Sequence, residues 1–283
     1  NERNEMPQMR DVMVYVDQFK ARTPGFGYAA LLSALLQRSL TGAYVYPSPA
    51  FMMPPYGSPA LLTAILEHAR RVETEARETE AAFVSWAGGL GVKHAAWQMA
   101  EGYVPDVLAH IGNWHDLLVL ECNAEAPWGA PPDLARLVLH AGLPCIVVPP
   151  DVRHEVKLDC IVLAWNGAPE AVRAIHSAIP LLKRARRVVL VGGTPRDPYQ
   201  EIGWKPVFDM VVHLKRHGIM VEREAIGADD AHVGPALLEV TTRCKADLMV
   251  MGAYGRSRFS EWMFGGATRH LLACTDVPLF MRH

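Results

Sequence analysis

The chain has 283 residues, half of them apolar and a fifth charged, with a formal net charge of −2. That length serves two ordinary domains or one large one, and the composition is that of a folded globule. A slightly acidic balance gives no electrostatic case for a nucleic-acid partner, and the absence of a run of roughly 18 or more apolar residues argues against a membrane span. In chain order, short apolar runs read as strands near residues 11–17, 41–46, 93–99, 116–121 and 144–148. A second set follows near 158–165, 187–192, 219–225, 247–252 and 277–281. Helix-length segments lie between them. These include Gly25–Leu40, a long helix over Pro59–Gly89 with Leu62, Ile65, Leu66 and Ala69 as its apolar face, Pro169–Ala185, and Pro206–His217 closed by Gly218.

Continuous apolar strands alternating with amphipathic helices belong to parallel sheets buried on both faces. The order also repeats. His115-Asp-Leu-Leu-Val-Leu-Glu121 matches Ala246-Asp-Leu-Met-Val-Met-Gly252, and each half ends on a Pro-led strand, Leu143–Val148 and Val277–Met281. The repeat is far too long for a solenoid, so duplication of a whole domain is the better reading. The fold class expected is α/β, as two tandem Rossmann-like domains over 1–150 and 151–283. Each would be a five-stranded, mostly parallel sheet flanked by helices. The segment Val147–Lys157, with its paired prolines, is the linker. Two separate sheets are expected, with no single sheet running across the linker.

Five cysteines (Cys122, Cys145, Cys160, Cys244, Cys274) show no C-x-x-C spacing, which fits a reducing, cytoplasmic setting. The first residues are polar, without a signal-peptide apolar segment, and the missing initiator Met suggests a start already trimmed.

The most informative segment follows Asp247–Met251. There Gly252, Gly255 and Gly265 punctuate a loop between a buried strand and a helix opening near Gly265–Thr268. Such a junction can turn backbone N–H groups and a helix N-terminus toward an anion. The same glycines could instead serve only a tight strand-to-helix turn. The spacing resembles the G-x-x-G-x9-G-[S/T] nucleotide loop of the universal stress protein family, and the tandem five-strand pattern resembles its two-domain members.

That resemblance implies a Rossmann-like fold with a ligand cleft at the C-terminal strand ends. A subset of the family binds ATP there, and its members are regarded as binding proteins of the stress response, not efficient catalysts. Carried across, the acidic residue after the first strand falls on Asn166, followed by Gly167. The adenine-side position falls on Val191, followed by Gly192. The phosphate loop maps to Gly252, Gly255 and Gly265; beside it, Arg256 and Arg258 either add a positive field or are solvated loop residues. Gly266 replaces the family's Ser/Thr, and Thr268 is the nearest hydroxyl. ATP or ADP is the implied ligand, in the second half only, and Mg2+ stays open because Asn166 brings no charge. In the first half Glu121 and Glu125 would sit where phosphates should go. The family also implies that the last strand of each half pairs the two domains within one chain, mimicking a dimer; a protein partner would be unknown.

Two other classes remain open. One is an adenylyl- or phosphoryl-transfer enzyme in the same cleft, for which neither a metal-binding carboxylate nor a base is evident. The other is a degenerate scaffold, or a small-molecule binder with an apolar first-half cleft lined from Phe51–Tyr56. No G-x-x-x-x-G-K-[S/T] or G-x-S-x-G occurs, which excludes a P-loop ATPase and gives no hydrolase elbow. His213 and His217 have the i, i+4 spacing of a metal pair but no evident third ligand, and they equally suit a helix C-terminus.

Overall fold

The computed structural model describes residues 9–18, 22–49, 58–152, 155–192, 209–227, 232–253 and 266–283. In the first half the elements are β1 (Asp11–Val16), α1 (Pro24–Leu36), β2 (Ser39–Tyr46), α2 (Pro59–Gly89), β3 (Ala95–Glu101), α3 (Val104–Gly112), β4 (Leu117–Glu121), α4 (Pro131–His140) and β5 (Cys145–Val148). The second half follows with β6 (Cys160–Trp165), α5 (Pro169–Leu182), β7 (Arg187–Gly192), α6 (Met210–Arg216), β8 (Glu222–Ala225), α7 (Val233–Cys244), β9 (Leu248–Gly252), α8 (Gly266–Cys274) and β10 (Leu279–Arg282). No helix among the described residues is long and apolar enough to cross a membrane.

All ten strands form one sheet in the order β3-β2-β1-β4-β5-β10-β9-β6-β7-β8. Pairing is parallel within each half. At the seam β5 and β10 run antiparallel, with Leu279 opposite Val147, Phe280 opposite Ile146 and Met281 opposite Cys145. The expectation of two separate sheets is therefore overturned. The two last strands are short and apolar but for Arg282, and each ends its half, so joining them satisfies both rows of backbone groups and removes two exposed edges.

Alternation along each strand divides the core into two apolar layers, one on each face of the sheet. Val12 and Val14 enter one layer while Met13 enters the other; Phe280 and Leu279 divide the same way at the seam. Each layer draws residues from both halves, so both cores run across the seam without a break.

The matched Asp residues do the same work in each half. The Asp116 carboxylate accepts the Asp11 N–H at 3.0 Å, and the Asp247 carboxylate accepts the Cys160 N–H at 2.9 Å. Each one ties the start of the central strand of its half to the neighbouring strand. The long α2 behaves differently from its sequence pattern. Its buried residues are Ala76, Phe83 and Ala87, whereas Leu62, Ile65 and Ala69 are only half-buried and Leu66 is exposed. Its C-terminal half, from Val72 onward, packs on the core, with Phe83 against Trp97 of β3.

Phe280 is fully buried at the seam. Phe280→Ala is expected to cost about 3–5 kcal/mol, the usual loss for deleting a buried aromatic ring. Urea denaturation followed by circular dichroism measures it. The shared layers require one transition in the parent chain, and separate unfolding of the two halves would show that the seam does not couple them.

Candidate functional site

The C-terminal strand ends of the second half gather most of the candidate residues. Asn166 follows β6 and is exposed; its side-chain oxygen accepts the Ala168 N–H at 3.0 Å. Gly167 takes φ +77°, a left-handed conformation, which lets the chain turn directly into α5. The Asn166 amide group stays available to donate outward. Val191 lies in β7 with its side chain buried in the core, so only its backbone neighbours the cleft. Gly192 ends the same strand and pairs with Trp165 and Ala225.

Gly252 ends β9 and is pressed against the first turn of α5. An added Cβ would stand 2.5 Å from Ala171 N and 2.7 Å from the Glu170 carbonyl carbon. This glycine permits close strand–helix packing. Gly255, Arg256 and Gly265 lie outside the described residues. Gly266 opens α8, with open space where its side chain would be, while Thr268 is buried. The structure thus brings Asn166, Gly167, Gly192 and Gly252 to one end of the sheet and turns Val191 and Thr268 inward. Phe51–Tyr56, offered as a first-half cleft lining, also lies outside the described residues.

Glu170 was missed by sequence reasoning. It sits in the first turn of α5 and is buried, with Oε1 accepting from Arg173 at 3.2 Å and Oε2 without a partner among the described residues. The signal available was Pro169-Glu170, a proline and an acid at a helix start.

The first half builds the same junction with the parts exchanged. Glu121 ends β4, at the position of Gly252, and the helix residue facing it is Gly25. The Gly25 N–H donates to Glu121 Oε2 at 2.8 Å. A Cβ on Gly25 would lie 2.8 Å from that oxygen and 2.9 Å from Glu121 Cβ. Burial pushes the Glu121 carboxyl above the usual carboxylate range. The Thr23 side chain and the Gly25 N–H pull it down, and the charge of Asp17 adds to the rise. Burial raises Asp17 as well. The second carboxylate at this end is therefore Asp17; Glu125 is exposed. Where the first half presents Asp17 and Glu121, the second presents Asn166 and Gly252.

A universal stress protein of Synechocystis sp. is 24% identical over 196 residues, which is 67% of this chain and 65% of that protein. The match thus spans less than two thirds of that relative's length. In fold, the chain matches a universal stress protein from Archaeoglobus fulgidus over 97% of its own length and 96% of the other, at 13% identity and a TM-score of 0.65. The chain is universal-stress-protein-like in sequence and fold. A protein of unknown function from Pseudomonas aeruginosa shares the fold over 97% of this chain and 92% of its own, at 12% identity and a TM-score of 0.56. No family model matches the chain.

Two expectations follow from the exchanged junctions. Gly252→Ala is expected to destabilise the fold by about 1–3 kcal/mol, since the clash is with backbone that cannot rotate away. Thermal unfolding without any ligand measures it, and an unchanged midpoint would show that β9 and α5 are not in close contact. For Glu121 the folded-state value lies above the unfolded one, so its contribution is present at low pH and is lost as pH rises through the raised value. Glu121→Gln keeps an acceptor for Gly25 but loses that titration. Its urea midpoint is expected to gain on the parent between pH 4 and pH 7; a constant difference would count against a raised carboxyl.

Proposed function

We infer that this universal-stress-protein-like chain works by binding rather than catalysis, and that it takes an adenine nucleotide, ATP or ADP, at the strand ends of its second half only. The observation that carries this reading is the charge at corresponding strand ends. A phosphate approaching the first half meets Asp17 and Glu121, with Glu121 already bonded to the first turn of α1. At the second half the same two positions are Asn166 and Gly252, which are uncharged, and the glycine loop and α8 follow directly. Asn166 would donate its amide to the nucleoside end, and backbone N–H groups from Gly255 through Gly266 would meet the phosphates. Val191 and Gly192 would contribute backbone alone.

The division into units 1–150 and 151–283 belongs to this reading and is supported by the break in parallel pairing at β5 and β10. So does a reducing, cytoplasmic setting, supported by five cysteines that are all free thiols. Gly266 supplies no hydroxyl for the terminal phosphate, so ADP is expected to bind nearly as well as ATP.

Calorimetric titration of the whole chain with ADP and with ATP tests the proposal, beside Gly255→Ala. Gly252→Ala would confuse folding with binding and is unsuitable. A β-carbon at Gly255 should block close approach, and a loss of about 1.4 kcal/mol would weaken binding tenfold. Equal binding by parent and Gly255→Ala would remove the loop from the site. Absence of binding by the parent would leave a nucleotide-free scaffold.

A further inference from the structure

A cavity of about 1040 Å3 lies between the two halves, with Arg282, the β10 residue paired with Gly252, in its lining. It is of a size that holds a small metabolite. Met9, Leu143 and Pro144 line it from the first half, and Ile179 and Pro180 from α5. Its polar lining is mostly cationic or titratable: Arg38, Lys183, Arg282, His176, His213 and His217.

The three histidines form one cluster. The His176 ring on α5 stacks on His213 of α6 at 4.5 Å, and His217 meets His213 edge-on at 4.7 Å. Sequence spacing showed only the α6 pair; the fold adds His176 from another helix. No group of three His, Cys, Asp or Glu side chains among the described residues is placed to hold a metal ion. The cluster is therefore a source of charge and of N–H donors, not a metal centre.

The corresponding place in the first half shows that this polarity is no demand of the fold. With the helices aligned on their first-turn prolines, Pro24 and Pro169, the α5 residues His176, Ser177 and Pro180 replace Leu31, Leu32 and Leu35. The helix positions that are leucines in the first half carry an imidazole and a hydroxyl in the second, beside an open cavity.

Asp116 is the one carboxylate of the lining, and its Oδ2 already accepts the Arg10 and Asp11 N–H groups at 2.6 and 3.0 Å. His115 is committed too: its Nδ1 donates to the Ile111 carbonyl at 2.9 Å, and its Nε2 meets the Thr41 hydroxyl at 3.0 Å. Arg282 is steadied by a hydrogen bond to the Ser177 hydroxyl. Lys183 has no carboxylate partner among the described residues and projects from the end of α5.

We propose that this cavity is a second binding site, for a small phosphate-bearing molecule held by Lys183, Arg282 and the His176–His213–His217 cluster. Charge-assisted hydrogen bonds from an ammonium, a guanidinium and imidazoliums are the chemistry that phosphate oxygens accept best. Affinity rises as pH falls. Burial lowers His176 and His213 below the ordinary histidine value, and repulsion from His217, within the cluster, and from Arg216 adds to this. Unliganded His176 and His213 are thus largely neutral at pH 7.5. A bound anion favours the charged rings and draws protons in, so the site gains positive charge on acidification.

The test is calorimetry of the full chain with inorganic pyrophosphate at pH 7.5 and pH 5.5, with sulfate, whose charge is constant over that range, as a control. Imidazole NMR follows the same titrations. Both anions are expected to bind more tightly at pH 5.5, by about tenfold, the value of one added charge-assisted hydrogen bond. The cluster resonances should titrate at higher pH when pyrophosphate is present. Lys183→Ala should weaken binding about tenfold, and the His176→Gln/His213→Gln pair should flatten the pH dependence. Pyrophosphate binding that survives both variants, imidazole titrations unmoved by it, or absence of binding at pH 5.5 would each overturn the proposal. The NMR arm uses the parent protein, so the outcome does not depend on the variants folding.

Discussion

The antiparallel pairing of β5 with β10 is the constraint on which the rest of the molecule depends. Both strands are four residues long and, except for Arg282, buried on each face, and each ends a parallel sheet. Left open, such edges would be strong templates for pairing with another chain. Joined to each other, they make one ten-stranded sheet whose outer strands are β3 and β8. β8 is protected differently, by charge: its sequence is Glu-Arg-Glu-Ala, with Arg187 bonded to Glu222, Asp209 to Arg223 and Arg243 to Glu224. β3 lies against the last turns of α2. The apolar surface of the sheet is thus spent on the seam, and the free edges are polar or covered.

The reversal of direction at the seam also decides which groups can share a site. Met281 lies opposite Cys145, so the C-terminal ends of the second half's strands adjoin the N-terminal ends of the first half's. That is how Arg282, at the end of β10, and Met9 and Asp116, before β1 and β4, come to line one cavity. Two sheets joined side by side in the same direction would have placed like ends together.

Much of this was legible in the sequence. Strands buried on both faces read as unbroken apolar runs, and all ten lie within a few residues of where those runs placed them. The repeated Asp116 and Asp247 marked the duplication because each performs the same strand-start hydrogen bond. The largest slip is at β8, an outer strand rich in charge, where the apolar pattern weakens. The pairing of the two last strands came only from the family resemblance, because docking of the halves leaves no local pattern. Two things were not legible. The exchanged pair of junctions was hidden because a glycine in a loop reads as a phosphate contact, whereas Gly252 is needed for contact with α5. His176 could not be joined to His213 and His217 because the contact is between helices on different strands' connections.

The two strand–helix junctions show how a duplicated fold becomes asymmetric under a packing rule. Where β4 meets α1, and again where β9 meets α5, there is room for one side chain between strand end and helix. The first half fills it from the strand with Glu121 and leaves Gly25 on the helix; the second fills it from the helix with Glu170 and leaves Gly252 on the strand. Either choice satisfies the packing, but they differ in where the negative charge lies. On the strand, Glu121 is bonded to the helix N-terminus and faces the cleft beside Asp17; on the helix, Glu170 is buried and salt-bridged to Arg173, leaving the strand end bare. Single substitutions at either partner would clash or leave a gap, so each junction can change its hand only by paired replacement. The helix α5 carries this choice and, two turns further on, the histidine that begins the cationic cavity. A shift of its first turn against Gly252 would move His176 with it, because an α-helix is stiff over that distance. The asymmetry of the halves is therefore concentrated on one helix, with bare strand ends at its start and titratable charge along its flank.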